Sequence, residues 1–414
     1  MARRLAGFAP VPLLLILAAC STTPAPLTSD AASYGVDPDE KLLLKRATAL
    51  DDEVRKKGLL FTSSDVDAYV NEVGKRLVPA SAASAVNFRF YVLREPLVNA
   101  FALPNGSIYV NVGLLARLEN EAQLAQVLAH EVAHVVKRHS LDRQRSRRNT
   151  MIVANIADIA LFGTSIAYLP AVGALAGQSR ENEAEADRSG LEYMSAAGYP
   201  LAEADKLFAL IREVAPRESV WGSIYSSHPD NQDRAARASE YIRSAKLAVN
   251  PGAPARVEQY LKVRYEVALE NIRLKLNVRQ YQLAINSADS ALVHSPKSAW
   301  LHYYRGEAYR EMAEDPIGAA REQAWISGRD SDKEAVSQFR GKKQALLATA
   351  TRSFQDALAL DEGFAEGYRG LGLVAWANGD APGARTSLKQ YLDRGKEIKD
   401  RRYIENILGR LDKP

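Results

Sequence analysis

His130-Glu131-Val132-Ala133-His134 sets two imidazoles at i and i+4, with a carboxylate beside the first. On a helix this spacing puts both rings on one face, one turn apart. Two neutral imidazoles so placed suit one tetrahedral Zn2+, and Glu131 reaches a water at the ion without becoming a ligand. The chemistry this supports is hydrolysis. A catalytic zinc needs a third protein ligand. The chain has six histidines and one cysteine, so the donors must be histidines and carboxylates. The best source is Arg180-Glu181-Asn182-Glu183-Ala184-Glu185-Ala186-Asp187-Arg188. On a helix Glu183 and Asp187 share a face, while Glu181 and Glu185 point about 160–200° away. Glu183 is expected to bind zinc, and Asp187 to accept the outer N–H of His130 or His134. Glu185 and Glu181 are the alternatives, otherwise solvated. His139 falls on another face and is read as a non-ligand.

Several elements must position these groups. Asn120 is a good N-cap, and Gln123 three residues later makes a capping-box-like pair. Leu124, Val127, Leu128, Val135 and Val136 supply the apolar stripe of that helix. Earlier helices are expected from Pro38 through Val54 and from Ser64 to Leu77. The run Val86–Val92 alternates like a strand. Asn99–Leu103 and Ser107–Val112 flank Pro104-Asn105-Gly106, a strong hairpin signal. Lys137–Arg148 reads as a solvated basic face. Residues 151–177 are nearly free of charge, but Asn155, Asp158, Gly163 and Pro170 argue against a membrane span. A helical lid or hairpin over the site is expected there, with membrane dipping as the alternative.

Hydrophobic residues make up 47% and charged residues 25%, with a formal charge of +4. This is ordinary globular composition; it excludes a disordered or multi-spanning chain and gives no support for a nucleic-acid partner. Residues 1–19 carry Arg3-Arg4 and a short apolar stretch, as in a secretory signal peptide. The stretch ends Leu17-Ala18-Ala19-Cys20, which resembles a bacterial lipobox. The resemblance implies lipidation of Cys20 and, with Ser21 rather than Asp following, the outer membrane. Residues 20–36, rich in Ser, Thr, Pro and Ala, read as a flexible tether.

Beyond a linker at 249–257 the chain is helical and repetitive. Ala350, Phe354 and Ala357 recur as Ala384, Leu388 and Tyr391, a period of 34 residues. Gly306 and Gly372 fit the small-residue crossings. This resembles tetratricopeptide repeats over 258–414, with an atypical stretch at 312–345.

Leu128-Ala129-His130-Glu131-Val132-Ala133-His134 followed by Glu183-x-x-Ala186-Asp187 resembles the zinc metallopeptidase family of BepA, HtpX and CAAX prenyl protease 1. Asn99–Gly106 before the helix, and Ser227-His228-Pro229 with Arg234 after it, carry the same resemblance. With the repeats behind it the layout is most similar to the BepA type, from which the lipobox departs. The implied fold class is α+β, mostly helical. An HExxH metallopeptidase domain with a small antiparallel sheet (37–248) precedes an all-α tetratricopeptide-repeat domain. The resemblance implies one Zn2+ on His130, His134 and Glu183, and peptide hydrolysis in which Glu131 takes a proton from water and passes it to the leaving amine. It brings His228 to the site, as a regulatory fourth ligand or an oxyanion donor. An edge strand at Ala100, Phe101, Ala102 and Leu103, or at Ile108–Val110, would bind substrate backbone by β-addition. The expected function is a lipid-anchored periplasmic metalloendopeptidase that cleaves unfolded or misassembled envelope proteins. The alternative is a chaperone or assembly factor that docks an outer-membrane machine through its repeats, with latent proteolysis.

Overall fold

The computed structural model describes residues 23–148, 179–203, 206–208, 210, 234–248, 257–328 and 333–411. The whole signal (1–19), Cys20 and all of 151–177 lie outside them, as does His228. Helix α1 (Pro38–Lys56) starts where Asp37 caps the N–H groups of Asp39 and Glu40 and Pro38 presets the first turn. Helix α2 (Ser64–Arg76) buries Val66, Tyr69, Val70 and Val73 at helical spacing.

Three strands follow: β1 (Arg89–Leu93), β2 (Ala100–Ala102) and β3 (Ser107–Asn111). The central strand is β3, with β2 antiparallel on one side and β1 parallel on the other. The expected antiparallel sheet is therefore mixed. The chain turns back once between β1 and β2 and again at the hairpin, so β1 and β3 run the same way. Gly106 takes φ +86° in that hairpin, and a Cβ there would stand 2.5 Å from Val86. Buried Asp51 of α1 accepts hydrogen bonds from Asn105 and Ser107 at 2.7 Å and from the Tyr109 hydroxyl, which pins the hairpin to α1. The far side of β1 is covered by the Leu60–Leu93 bridge and the Phe61 N–H on the Val92 carbonyl. That leaves β2 as the edge strand and makes Ile108–Val110 central.

Helix α3 (Glu121–Val136) runs through the core with all of its residues buried. Against it pack α2, β2, β3 and α5 (Arg180–Ala196), while α4 (His139–Arg148) follows directly and α6 (Arg234–Ser244) lies on α5. The flexible tether expected over 20–36 is corrected for its later part. Leu27 is fully buried in the core around α3, and its N–H donates to the Val136 carbonyl at 2.9 Å. Arg138 reaches the Ala25 carbonyl and the Ser33 hydroxyl. Burying one leucine contributes about 2 kcal/mol, which these bonds supplement. The basic run is also not a plain solvated face, since Arg138 pairs with Glu40 and both are buried, as is His139.

The remaining helices form hairpins. Helix α7 (Val257–Asn277) packs on α8 (Tyr281–His294), α9 (Ala299–Glu314) on α12 (Lys343–Leu360), and α13 (Ala365–Ala377) on α14 (Ala381–Arg394), before α15 (Arg401–Leu411). Between α9 and its partner are inserted α10 (Pro316–Ser327) and α11 (Lys333–Gly341). This pair interrupts the 34-residue period. The residues 34 apart are all buried, three on α12 and three on α14. Gly306 and Gly370 allow Phe354 to sit between α9 and α13; a Cβ on either would meet its ring within 2.5 Å. Tyr260, Val263 and Val267 of α7 join the core around α3, so the expected boundary at 258 falls at the start of a shared helix.

Candidate metal centre

Both ends of α3 are fixed. At its start the Asn120 side chain accepts the Gln123 N–H at 3.0 Å, and the Gln123 side chain accepts the Glu119 N–H at 2.8 Å. Buried Glu121 accepts from the hydroxyls of Tyr69 and Tyr199. At its end sit Leu27 and Arg138. Gly190 lets α5 approach α3 at the motif itself, since a Cβ there would stand 3.2 Å from the His130 nitrogen.

This crossing brings His130, His134 and Glu183 together, with their donor atoms within 4.8 Å of one another. The two Nε2 atoms are 3.0 Å apart, and each lies 3.4 Å from a Glu183 carboxylate oxygen. Ligands about 2.0–2.1 Å from a tetrahedral ion lie about 3.4 Å from one another. The triangle therefore fits a single zinc-sized ion. Its two imidazoles and one carboxylate are a donor set that Zn2+ accepts.

Outer partners set the tautomers. His130 Nδ1 lies 3.0 Å from Asp187, which Arg234 holds in turn through its Nε at 2.8 Å. His134 Nδ1 lies 2.8 Å from His139 Nδ1, and His139 Nε2 lies 3.2 Å from Glu185. With Nε2 kept free as a donor atom, His130 donates its Nδ1–H to Asp187. His134 likewise donates to His139, which passes its own Nε2–H to Glu185. Glu185 also pairs with Lys137 at 3.0 Å. It therefore takes no place in the cluster but ends this chain, while Glu181 is exposed outside the cluster.

Burial pushes the His134 ring down to about 3, which keeps it neutral. Burial also acts downward on His130, but hydrogen bonds to Asp187 and Glu183 outweigh it and lift that ring above its ordinary value. Burial would raise Asp187, yet Arg234 and His130 hold its carboxyl well below the usual range. Glu131 is buried next to His130 on α3, and its charge acts on Arg234 together with those of Asp187 and Glu183. The β2 pairing turns the backbone groups of Ala100 and Ala102 away from β3, on a strand packed against α3.

Residue spacing alone did not assign three participants: His139, Arg234 as the clamp on Asp187, and Gly190. The one available signal was the family resemblance, which Arg234 carries together with Ser227-His228-Pro229. His228 lies outside the described residues.

Residues 64–242 match peptidase family M48. The mitochondrial metalloendopeptidase OMA1 of Schizosaccharomyces pombe is 33% identical over 181 residues, 43% of this chain and 54% of the relative. The beta-barrel assembly-enhancing protease of Escherichia coli K12 is 29% identical over 198 residues, 45% of this chain and 41% of the relative. Its namesake in Yersinia pestis is 23% identical over 270 residues, 58% of this chain and 54% of the relative. The chain thus spans about half the length of the curated relatives it matches.

Proposed function

We propose that this chain, which carries a metalloprotease domain of peptidase family M48 over residues 64–242, is a zinc metalloendopeptidase of the bacterial envelope acting on unfolded or misassembled proteins. The observation that carries the reading is the triangle of His130, His134 and Glu183, with edges of 3.0–3.4 Å, beside buried Glu131. Zinc, when bound there, supplies Lewis acidity and lowers the pKa of water. Glu131 takes the proton and returns it to the leaving amine. Asp187 and His139 hold the two imidazoles in the donor tautomer. The open edge of β2 receives an extended substrate backbone, so unfolded segments are favoured over folded ones.

Cys20 carries the lipid in this reading and ties the enzyme to the outer membrane. No helix among the described residues is long and apolar enough to cross a membrane. The helical hairpins are tetratricopeptide-like and dock an outer-membrane assembly machine. The name of the E. coli relative, an assembly-enhancing protease, supports this envelope setting and also a second reading, in which assembly rather than cleavage is the main task. One variant separates them. Glu131→Gln should keep its metal and lose about 100- to 10,000-fold in cleavage of an unfolded outer-membrane barrel protein. Cleavage at the wild-type rate overturns the peptidase reading. Lost cleavage with undiminished barrel assembly in cells favours the second.

A further inference from the structure

The seam between the peptidase domain and the first helical hairpin holds a cleft of about 430 Å3. Its walls are residues 116–119, just before α3, and the facing sides of α7 and α8. Arg264 of α7 lines it and is only 6% exposed. Its Nη1 is buried without a hydrogen-bond partner, and Arg264 forms no ion pair among the described residues. Two turns further along α7, Asn271 lines the same cleft, and its Oδ1 is also buried and unpartnered. A guanidinium stays charged at any physiological pH. Burying one without a counter-ion is strongly unfavourable, so such groups are rare where nothing binds them. The positive field is felt nearby: the His294 ring at the cleft is lowered, first by burial and then by the charge of Arg264.

The two open groups are complementary in kind. Arg264 offers a donor fork for an anion, and Asn271 offers an acceptor for an N–H. Leu283 and the exposed Val293 add an apolar strip beside them. We propose that this cleft binds a peptide carboxylate, with Arg264 on the carboxylate, Asn271 on a backbone N–H of the same segment, and a small apolar side chain on Leu283 and Val293. The carboxylate comes from a chain terminus or from an acidic side chain. Inorganic phosphate fits less well, because it does not bring the backbone N–H that the unpartnered Oδ1 of Asn271 would accept. The inference does not depend on the reading of the metal centre.

The test is calorimetric titration of the full chain carrying Glu131→Gln, which keeps peptide probes intact. The probes are an N-acetylated tetrapeptide of alanine and leucine with a free carboxyl end, its C-terminal amide, the same amide with one glutamate, and inorganic phosphate. At least one carboxylate peptide should bind tenfold or more tightly than the uncharged amide, and which one binds identifies the source. Arg264→Gln should remove that preference. With Glu119 already lining the cleft, Asn271→Asp sets a second negative charge there, which repels an incoming carboxylate, so it should abolish carboxylate binding. The proposal is overturned if neither carboxylate peptide exceeds the amide or if phosphate binds better than both. It is equally overturned if Asn271→Asp binds as well as the parent.

Discussion

Surplus carboxylates are buried at two places in this molecule, and the two differ in what faces them. At the metal centre Glu131, Glu183 and Asp187 surround one guanidinium, Arg234. In the helical region Glu307 pairs with Arg310 at 2.8 Å and Arg369 at 3.1 Å, while Glu311, Glu314 and Asp400 draw on the same two arginines. Both clusters leave negative charge over. In the helical region Glu314 is partly exposed, and burial, then the charge of Glu307, pushes Glu311 up to about 7. Below about pH 7 a proton on Glu311 takes up part of that surplus. At the metal centre Glu183 instead faces two imidazole nitrogens 3.0 Å apart, one of them held neutral. That arrangement suits a dication. A charge imbalance becomes a metal site only where neutral donors converge on it.

The largest expected effect separates the clusters outright. Glu183→Ala should lower zinc affinity by more than the roughly 10–100-fold typical of outer partners. Glu307→Ala should leave about one zinc per chain yet destabilise by about 1.5–3 kcal/mol, because Arg310 and Arg369 lose their shared buried partner while keeping Glu311, Glu314 and Asp400. Metal analysis beside thermal unfolding reads both. Zinc retained in Glu183→Ala but lost in Glu185→Ala would move the ligand to the other face of α5 and break the comparison.

A middle-sized effect sharpens it. Asp187→Asn removes the charge of the outer acceptor on His130 and His139→Ala removes the outer acceptor of His134 outright, so each should cost about 10–100-fold in zinc affinity, measured by competition with a chelator. Asp400→Asn, which touches the corresponding clamp in the helical region, should leave that affinity unchanged. Equal zinc affinity in His139→Ala and wild type would mean that His134 is held by packing alone.

His139 also marks where sequence reasoning ran out. Extending the wheel of α3 to position 139 put it on an irrelevant face. In fact α3 ends at Val136, and Arg138, at φ +56°, turns the chain so that the ring comes back onto His134. Local signals such as the Asn120 cap, the Pro104-Asn105-Gly106 turn and the apolar stripes were readable, because each depends on neighbours a few residues away. The i, i+4 pair on α5 was readable for the same reason. The partners of Leu27 and the parallel pairing of β1 depend on contacts across the fold, which composition and periodicity do not encode. The inserted α10–α11 pair was visible only as a break in the 34-residue period.

The smallest expected effect tests the proton on Glu311. Its folded-state value is about 7, against 4.5 for an ordinary glutamate. The folded chain therefore holds a proton that the unfolded chain releases between these values. The stabilisation is complete below pH 4.5 and is lost as pH rises through 7. The full shift corresponds to about 3 kcal/mol. The side chain is 34% exposed, so solvent screening reduces this to about 1 kcal/mol. That is about 2–4 °C in the unfolding of the helical region. Metal loss in acid acts in the opposite direction, because the imidazoles and Glu183 take up protons as zinc leaves. The informative quantity is thus the difference between wild type and Glu311→Gln at fixed zinc occupancy. Wild type should lose stability relative to Glu311→Gln between pH 5.5 and pH 8. Parallel curves would mean that water, rather than a proton, disperses the surplus charge, and the contrast between the two clusters would then rest on exposure alone.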